Sequence, residues 1–217
     1  MLKQEIITLT AEFVKDKLAG MDAAHDWHHV YRVWNNAIHI SQQENCDRFI
    51  VELGALLHDI ADWKFTNGNE DTGPEIARIW LQKQAVESEI IEHVCGIIKD
   101  VSFKGAGVTY PMRSIEGMIV QDADRLDAMG AIGIARSFSY GGNKGRALYN
   151  PDIKPIMHAS FEEYKKSNSP TLNHFYEKLL LLKDRMNTVT AKTMATHRHK
   201  VMEGFLEEFL DEWNGAK

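Results

Sequence analysis

Apolar residues recur along this chain at the spacing of a helix, and almost nowhere at the two-residue spacing of a strand. Over residues 3–18, Ile6, Leu9, Phe13, Val14 and Leu18 make one face before Gly20 stops the run. Residues 26–44 repeat the pattern with Val30, Val33, Trp34, Ala37 and Ile38. The stretch 47–61, DRFIVELGALLHDIA, opens at Asp47, a predicted N-cap. It is apolar on nearly every face, as a helix in the middle of a fold would be. A polar loop follows over 62–71. TGPEIARIW then places Thr72 as a predicted N-cap, Pro74 in the first turn and Glu75 three residues on, the pattern of a capping box. Another helix is predicted over 89–100, and after the break SFKGAGVTYP one more over 114–139, through Ile115, Met118, Ile119, Leu126 and Met129. The segment YGGNKGRALYNPDIKP reads as the longest loop. Ser160 and Glu163 repeat the capping-box pattern, and two helices, about 171–187 and 190–213, close the chain. The last carries Met194, Val201, Met202, Phe205, Phe209 and Trp213 on one side. The pattern predicts an all-α fold.

Length changes this picture little: 217 residues suit one domain, 1–217. Charge excludes more. With 25 basic and 31 acidic residues the net charge is −6, which is not the profile of a duplex nucleic-acid binder. Small anions stay open as substrates, because local cations decide there. Cys46 and Cys95 stand singly in apolar-periodic stretches and read as reduced thiols. The N-terminal stretch has no continuous apolar core of a signal peptide, and no apolar run approaches the ~20 residues of a membrane span. A cytoplasmic protein with no membrane partner is the expectation; a homo-oligomer is left open by the pattern.

The chemistry gathers at polar groups set in otherwise apolar helices. In AHDWHHV, His25, Asp26, His28 and His29 crowd together, and His25, His29, Arg32 and Asn36 follow at +4, +3 and +4 on one helical face. The apolar helix ends in His58-Asp59, groups that need a partner if buried. QDADRLDA brings Asp122, Asp124 and Asp127 within six residues, and a nearby cation would relieve their repulsion. Each feature alone has an ordinary reading, as a satisfied core histidine, a chance dipeptide or a solvated acidic face. Their order along the chain, His, then His-Asp, then Asp, is far less ordinary. Lys64, Lys104 in SFKGAG, and Lys144 and Arg146 in GGNKGR could clamp a phosphate. GGNKGR itself is no Walker loop.

HDWHHVYRV, ALLHDIAD and DADRLDAMGAIGIAR together resemble the motifs of the HD-domain metal-dependent phosphohydrolases. The resemblance implies an HD-type helical bundle with a motif core at about 25–136 and extra C-terminal helices at about 160–213. HFYEKLLLLKDRMNT and the terminal RHKVMEGFLEEFLDEW look like the C-terminal helices of a small bacterial branch resembling nucleotide pyrophosphohydrolases. It also implies metal ligands at His29, His58, Asp59 and Asp124. Asp122, two residues from Asp124, stays the rival, since a helix cannot aim both at one point. Two imidazoles and two carboxylates suit one divalent transition metal. The family implies Mn²⁺ or a similar ion, with Mg²⁺, Fe²⁺, Co²⁺, Ni²⁺ and Zn²⁺ as the other members of the set. Relatives with two metals add a histidine pair between the HD motif and the last aspartate. Here only His93 lies there, which favours a mononuclear site and disfavours the di-iron oxygenases of the same fold.

Asp62, four residues after His58, stands where related (p)ppGpp hydrolases carry an acidic catalytic residue, which implies proton transfer or water orientation; pairing with Lys64 is its ordinary reading. His25 and Asp26 flank the first motif and are expected to touch substrate or to support the ligands. The branch implies a small phosphorylated substrate, a nucleotide above all. The expected reaction is cleavage of a nucleoside triphosphate to monophosphate and pyrophosphate. The alternatives are a nucleotide phosphomonoesterase and, from another class, a non-catalytic nucleotide-binding HD module.

Overall fold

The structure, a computed structural model, describes residues 2–20, 26–61, 71–101, 112–156 and 169–217. Every regular element among them is helical: α1 (Lys3–Lys17), α2 (Trp27–Ser41), α3 (Arg48–Leu57), α4 (Thr72–Lys83), α5 (Ser88–Val101), α6 (Ile115–Asp127), α7 (Gly130–Asn143), α8 (Asn173–Glu177), a 3₁₀ segment (Leu179–Arg185) and α9 (Val189–Trp213). None of the described helices is long and apolar enough to cross a membrane. The described residues up to Asp124 form one compact unit and those from Arg125 a second.

The first unit is built around α3. Its residues from Phe49 to Leu57 are all buried, as their apolar run requires, and α1, α2 and α5 pack on it. Asp47 is its N-cap and accepts from Phe49 N at 2.8 Å. Gly54 lets α6 come close: a Cβ there would stand 3.2 Å from Val120 Cγ2. The one acid in this buried helix, Glu52, is satisfied by Trp34 Nε1 and Arg48 Nε, each at 2.9 Å. Phe13 and Trp80 stack at 4.0 Å, and Trp80 Nε1 donates to the buried Thr10 hydroxyl at 3.0 Å. Both cysteines are free; Cys95 is buried and Cys46 half-buried. Burial pushes both thiols up, away from reactivity.

The second unit packs α7 and the 3₁₀ segment against α9. Phe138, Phe175, Phe205 and Phe209 form its aromatic centre, with rings 5.7–6.1 Å apart.

Three expectations need correction. The helix expected over 114–139 is two helices: Met129 is extended (φ −119°, ψ 163°) and Gly130 takes φ 69°. The second of them, α7, runs on through Gly141 and Gly142 to Asn143, into the expected loop. Thr72 does not cap α4. The helix begins at Thr72 itself, and Asp71, which precedes it, turns its carboxylate to Lys99 Nζ at 2.8 Å. The expected helix over 171–187 breaks at Lys178 (φ −145°, ψ −54°) into α8 and the 3₁₀ segment. The Ser160–Glu163 capping box lies outside the described residues.

Candidate metal centre

All four groups expected to meet lie in the first unit. His29 sits in the first turn of α2, where Asp26 caps the helix and accepts from His29 N at 2.9 Å. His58 and Asp59 follow directly on α3, with His58 still in helical conformation (φ −56°, ψ −34°). Asp124 stands in the last turn of α6. Asn36 on α2 donates to the carbonyl of Ala123 at 3.4 Å, which ties α2 to α6 beside Asp124.

Three of the four groups, His29, His58 and Asp59, gather around a common point, and Asp124 comes close to His29. His58 Nε2 is 3.4 Å from His29 Nε2. His29 Nε2 is 3.5 Å from Asp124 Oδ1 and 3.6 Å from Asp59 Oδ2, and His58 Nε2 is 3.9 Å from Asp59 Oδ2. Donor atoms bound at ~2.1 Å to one ion, at angles of 90–110°, stand roughly 3.0–3.5 Å apart, so the donors of His29, His58 and Asp59 could hold a metal with modest closure. His29, His58 and Asp59 have donor atoms all within 4.8 Å of one another.

The tautomer of His58 is also set for the task. Its Nδ1 lies 2.8 Å from the carbonyl oxygen of Ala55. A carbonyl only accepts, so Nδ1 carries the proton and Nε2 offers its lone pair toward His29 and Asp59. Histidines that ligate metals are held in this way, by the ring nitrogen that does not bind. Both imidazoles are buried, while the Asp59 and Asp124 side chains are 22% and 37% exposed. The centre is therefore closed on its histidine side and open on its carboxylate side.

The acidic triplet divides its work. Asp124 faces His29. Asp122, about 200° round the helix from it, is fully buried. Asp127, also buried, pairs with Arg136 Nη1 at 2.9 Å. His93, the lone intervening histidine, is taken up by Ser114 Oγ at 2.8 Å. Of the expected substrate residues, Asp26 is the cap of α2. Lys144 and Arg146 lie in the second unit, each with its cation 5.7 Å from the Tyr140 ring. His25, Asp62, Lys64 and Lys104 lie outside the described residues. Sequence reasoning passed over Ala55 and Gly54. No sequence signal marks the first, because every residue carries a backbone carbonyl.

The HD domain family model matches residues 26–129, a span that holds His29, His58, Asp59 and Asp124. The Bacillus subtilis protein YpgQ is 38% identical over 204 residues, covering 90% of this chain and 88% of that protein. An HD-superfamily hydrolase from Bacillus thuringiensis, of known crystal structure, is 48% identical with a TM-score of 0.79, over 98% of this chain and 99% of that one. The structure of B. subtilis YpgQ in complex with ADP aligns with a TM-score of 0.78 and 35% identity, over 98% of this chain and 96% of that one.

Proposed function

This chain belongs to the HD-domain family, and from that membership we propose that it is a metal-dependent phosphohydrolase acting on nucleotides. In its specific form the proposal is hydrolysis of a nucleoside triphosphate to the monophosphate and pyrophosphate. The observation that carries it is the cluster of His29, His58 and Asp59, with Asp124 near His29 and the Ala55 carbonyl presetting the His58 tautomer. These four residues would hold one divalent ion, Mn²⁺ by preference. Such an ion supplies a lowered pKa to the water it binds and polarises a phosphoryl oxygen. A nucleotide substrate is supported by the ADP complex of YpgQ, 35% identical to this chain.

The chain's own residues have distinct tasks in this reading. His29 and His58 are buried and fixed, so the ligand atoms need little reorganisation. Asp26 holds the first turn of α2, and with it the backbone of His29. The exposed side, at Asp59 and Asp124, is where a phosphate can approach. Asp62 moves or orients a proton at the reacting water, and Lys64, Lys104, Lys144 and Arg146 offer cations to the phosphate chain.

The test is a panel of ribo- and deoxyribonucleotides with metal-stripped protein reloaded with Mn²⁺, scored separately for pyrophosphate and orthophosphate. Pyrophosphate and monophosphate in equal amounts, lost in His58→Ala together with bound metal, are expected. Orthophosphate alone would assign the phosphomonoesterase instead. Nucleotide binding without turnover would assign a regulatory module.

A further inference from the structure

In the second unit, α8 presents two rows of side chains. Asn173 and Glu177, four residues apart, make one. Asn173 Nδ2 donates to the Ile153 carbonyl at 2.9 Å, and Glu177 Oε1 accepts from Ile156 N at 3.1 Å, so this row is tied to the segment 153–156. His174 and Lys178, each one residue further on and about 100° round the helix, make the other row. Lys178 N closes onto the His174 carbonyl at 3.0 Å, which stacks these two residues over one turn.

Backbone pairing brings Arg146 to the same place. α7 ends in a tight turn, in which Gly145 has φ 66° and Arg146 N returns to the Gly141 carbonyl at 2.9 Å. The next two residues pair with those that lead into α8: Thr171 N donates to the Ala147 carbonyl at 2.9 Å and Leu172 N to the Leu148 carbonyl at 3.0 Å. A cation at the C-terminal end of a helix is ordinary, and the exposed Lys144 is one. Arg146 differs, because its Nε is buried. Its guanidinium and the Lys178 ammonium both act on the His174 ring, and after burial they are what hold it down to about 3. Among the described residues no carboxylate acts on the ring with them. Two cations beside one neutral imidazole repel each other, and an anion among them relieves this.

We propose that Arg146, His174 and Lys178 form a phosphate-binding cluster within the second unit, which takes a phosphoryl group of a di- or triphosphate chain. The planar guanidinium suits two phosphate oxygens at once, the ammonium a third, and the neutral ring carries one N–H donor. This rests on the proposed nucleotide substrate only for the choice of phosphate among anions, and it makes no use of the metal.

The experiment is calorimetric titration of the metal-stripped full chain, in EDTA, with pyrophosphate, ADP and adenosine in turn. Circular dichroism checks the fold of each variant. Pyrophosphate and ADP are expected to bind and adenosine is not. Arg146→Met and Lys178→Met are each expected to weaken both ligands about tenfold, as loss of one charge-assisted hydrogen bond does. Lys154→Met, which removes an exposed cation of the same unit, is expected to leave both affinities unchanged. No binding of pyrophosphate at millimolar concentration overturns the proposal. So does wild-type affinity in both Arg146→Met and Lys178→Met, equal weakening by Lys154→Met, or adenosine bound as tightly as ADP. If neither Arg146→Met nor Lys178→Met folds, the ring resonances of His174 in the isotope-labelled wild-type chain decide: they are expected to move on adding pyrophosphate, and unmoved resonances overturn the proposal. Neither metal nor turnover enters this measurement. Hydrolysis in the nucleotide panel without binding here would overturn the cluster alone, and binding here without hydrolysis would overturn the hydrolase alone.

Discussion

Replacing Asp124 with Asn removes one charge at almost constant volume, and the structure sets opposite signs for the two metal states. Asp59 Oδ2 and Asp124 Oδ1 lie 3.6 and 3.5 Å from the same nitrogen, His29 Nε2. The two carboxylate oxygens are thus at most about 7 Å apart, and at an effective dielectric of ~20 they repel by at least roughly 2 kcal/mol. Their side chains are 22% and 37% exposed, so solvent screening lowers this to about 1 kcal/mol. Without metal, Asp124→Asn should therefore be the more stable protein by about that amount. For a chain of 217 residues this is a rise in Tm of about 2–4 °C. With metal the order reverses. An ion at a hundred times its Kd stabilises the folded state by about 2.7 kcal/mol, or roughly 5–10 °C here. The variant, with a neutral amide in place of a carboxylate, should keep half of that increment or less. Scanning calorimetry of both proteins at pH 8, with EDTA and with Mn²⁺, reads all four midpoints. A metal-free Asp124→Asn that melts at or below wild type, or that gains the same increment from Mn²⁺, would refute the reasoning.

Gly133→Ala should destabilise the second unit by about 3 kcal/mol, seen as a lower urea midpoint, because the new Cβ would stand 2.3 Å from the Ala128 carbonyl oxygen, which is backbone. An unchanged midpoint would show that the turn between α6 and α7 yields easily. His174 is held down to about 3, first by burial and then by Lys178 and Arg146. It stays neutral in the fold while the unfolded chain takes up a proton below the ordinary histidine range near 6.5, so its share of stability is present above that range and lost as pH falls toward 3. His174→Gln should flatten the fall in Tm between about pH 6 and 4, where the slope from one such group approaches ~1.4 kcal/mol per pH unit; parallel curves for the two proteins would count against it. Asp62→Asn should lower kcat by about 10²–10⁴ with metal occupancy and KM kept, whereas Lys104→Ala should raise KM and largely keep kcat. A fall in kcat of less than about fivefold for Asp62→Asn would return Asp62 to a structural role.

Local periodicity was enough to read α1, α2, α3 and α5, the Asp47 cap and the helical class of the chain, because each depends on residues within a turn or two. The order His, His-Asp, Asp was legible for the same reason, since polar groups in apolar helices stand out against their own neighbours, and the resemblance to the HD-domain motifs then picked out His29, His58, Asp59 and Asp124. The break at Met129 and Gly130 was not, since apolar residues keep the helical period across it, and the helix stops where Met129 is extended and Gly130 takes φ 69°. The spacing of Asp122 and Asp124 shows only that they diverge. Which of them meets His29 depends on how α6 crosses α3 at Gly54 and where Asn36 ties α2 to Ala123. Asp26 could be a cap or a substrate contact by sequence, and becomes a cap through one backbone hydrogen bond. The protonated nitrogen of His58 was likewise out of reach, because it is chosen by the Ala55 carbonyl, and every residue's carbonyl looks the same in a sequence. Side-chain type and helical phase are properties of the chain alone; the direction in which a lone pair or a carboxylate points is decided where helices cross.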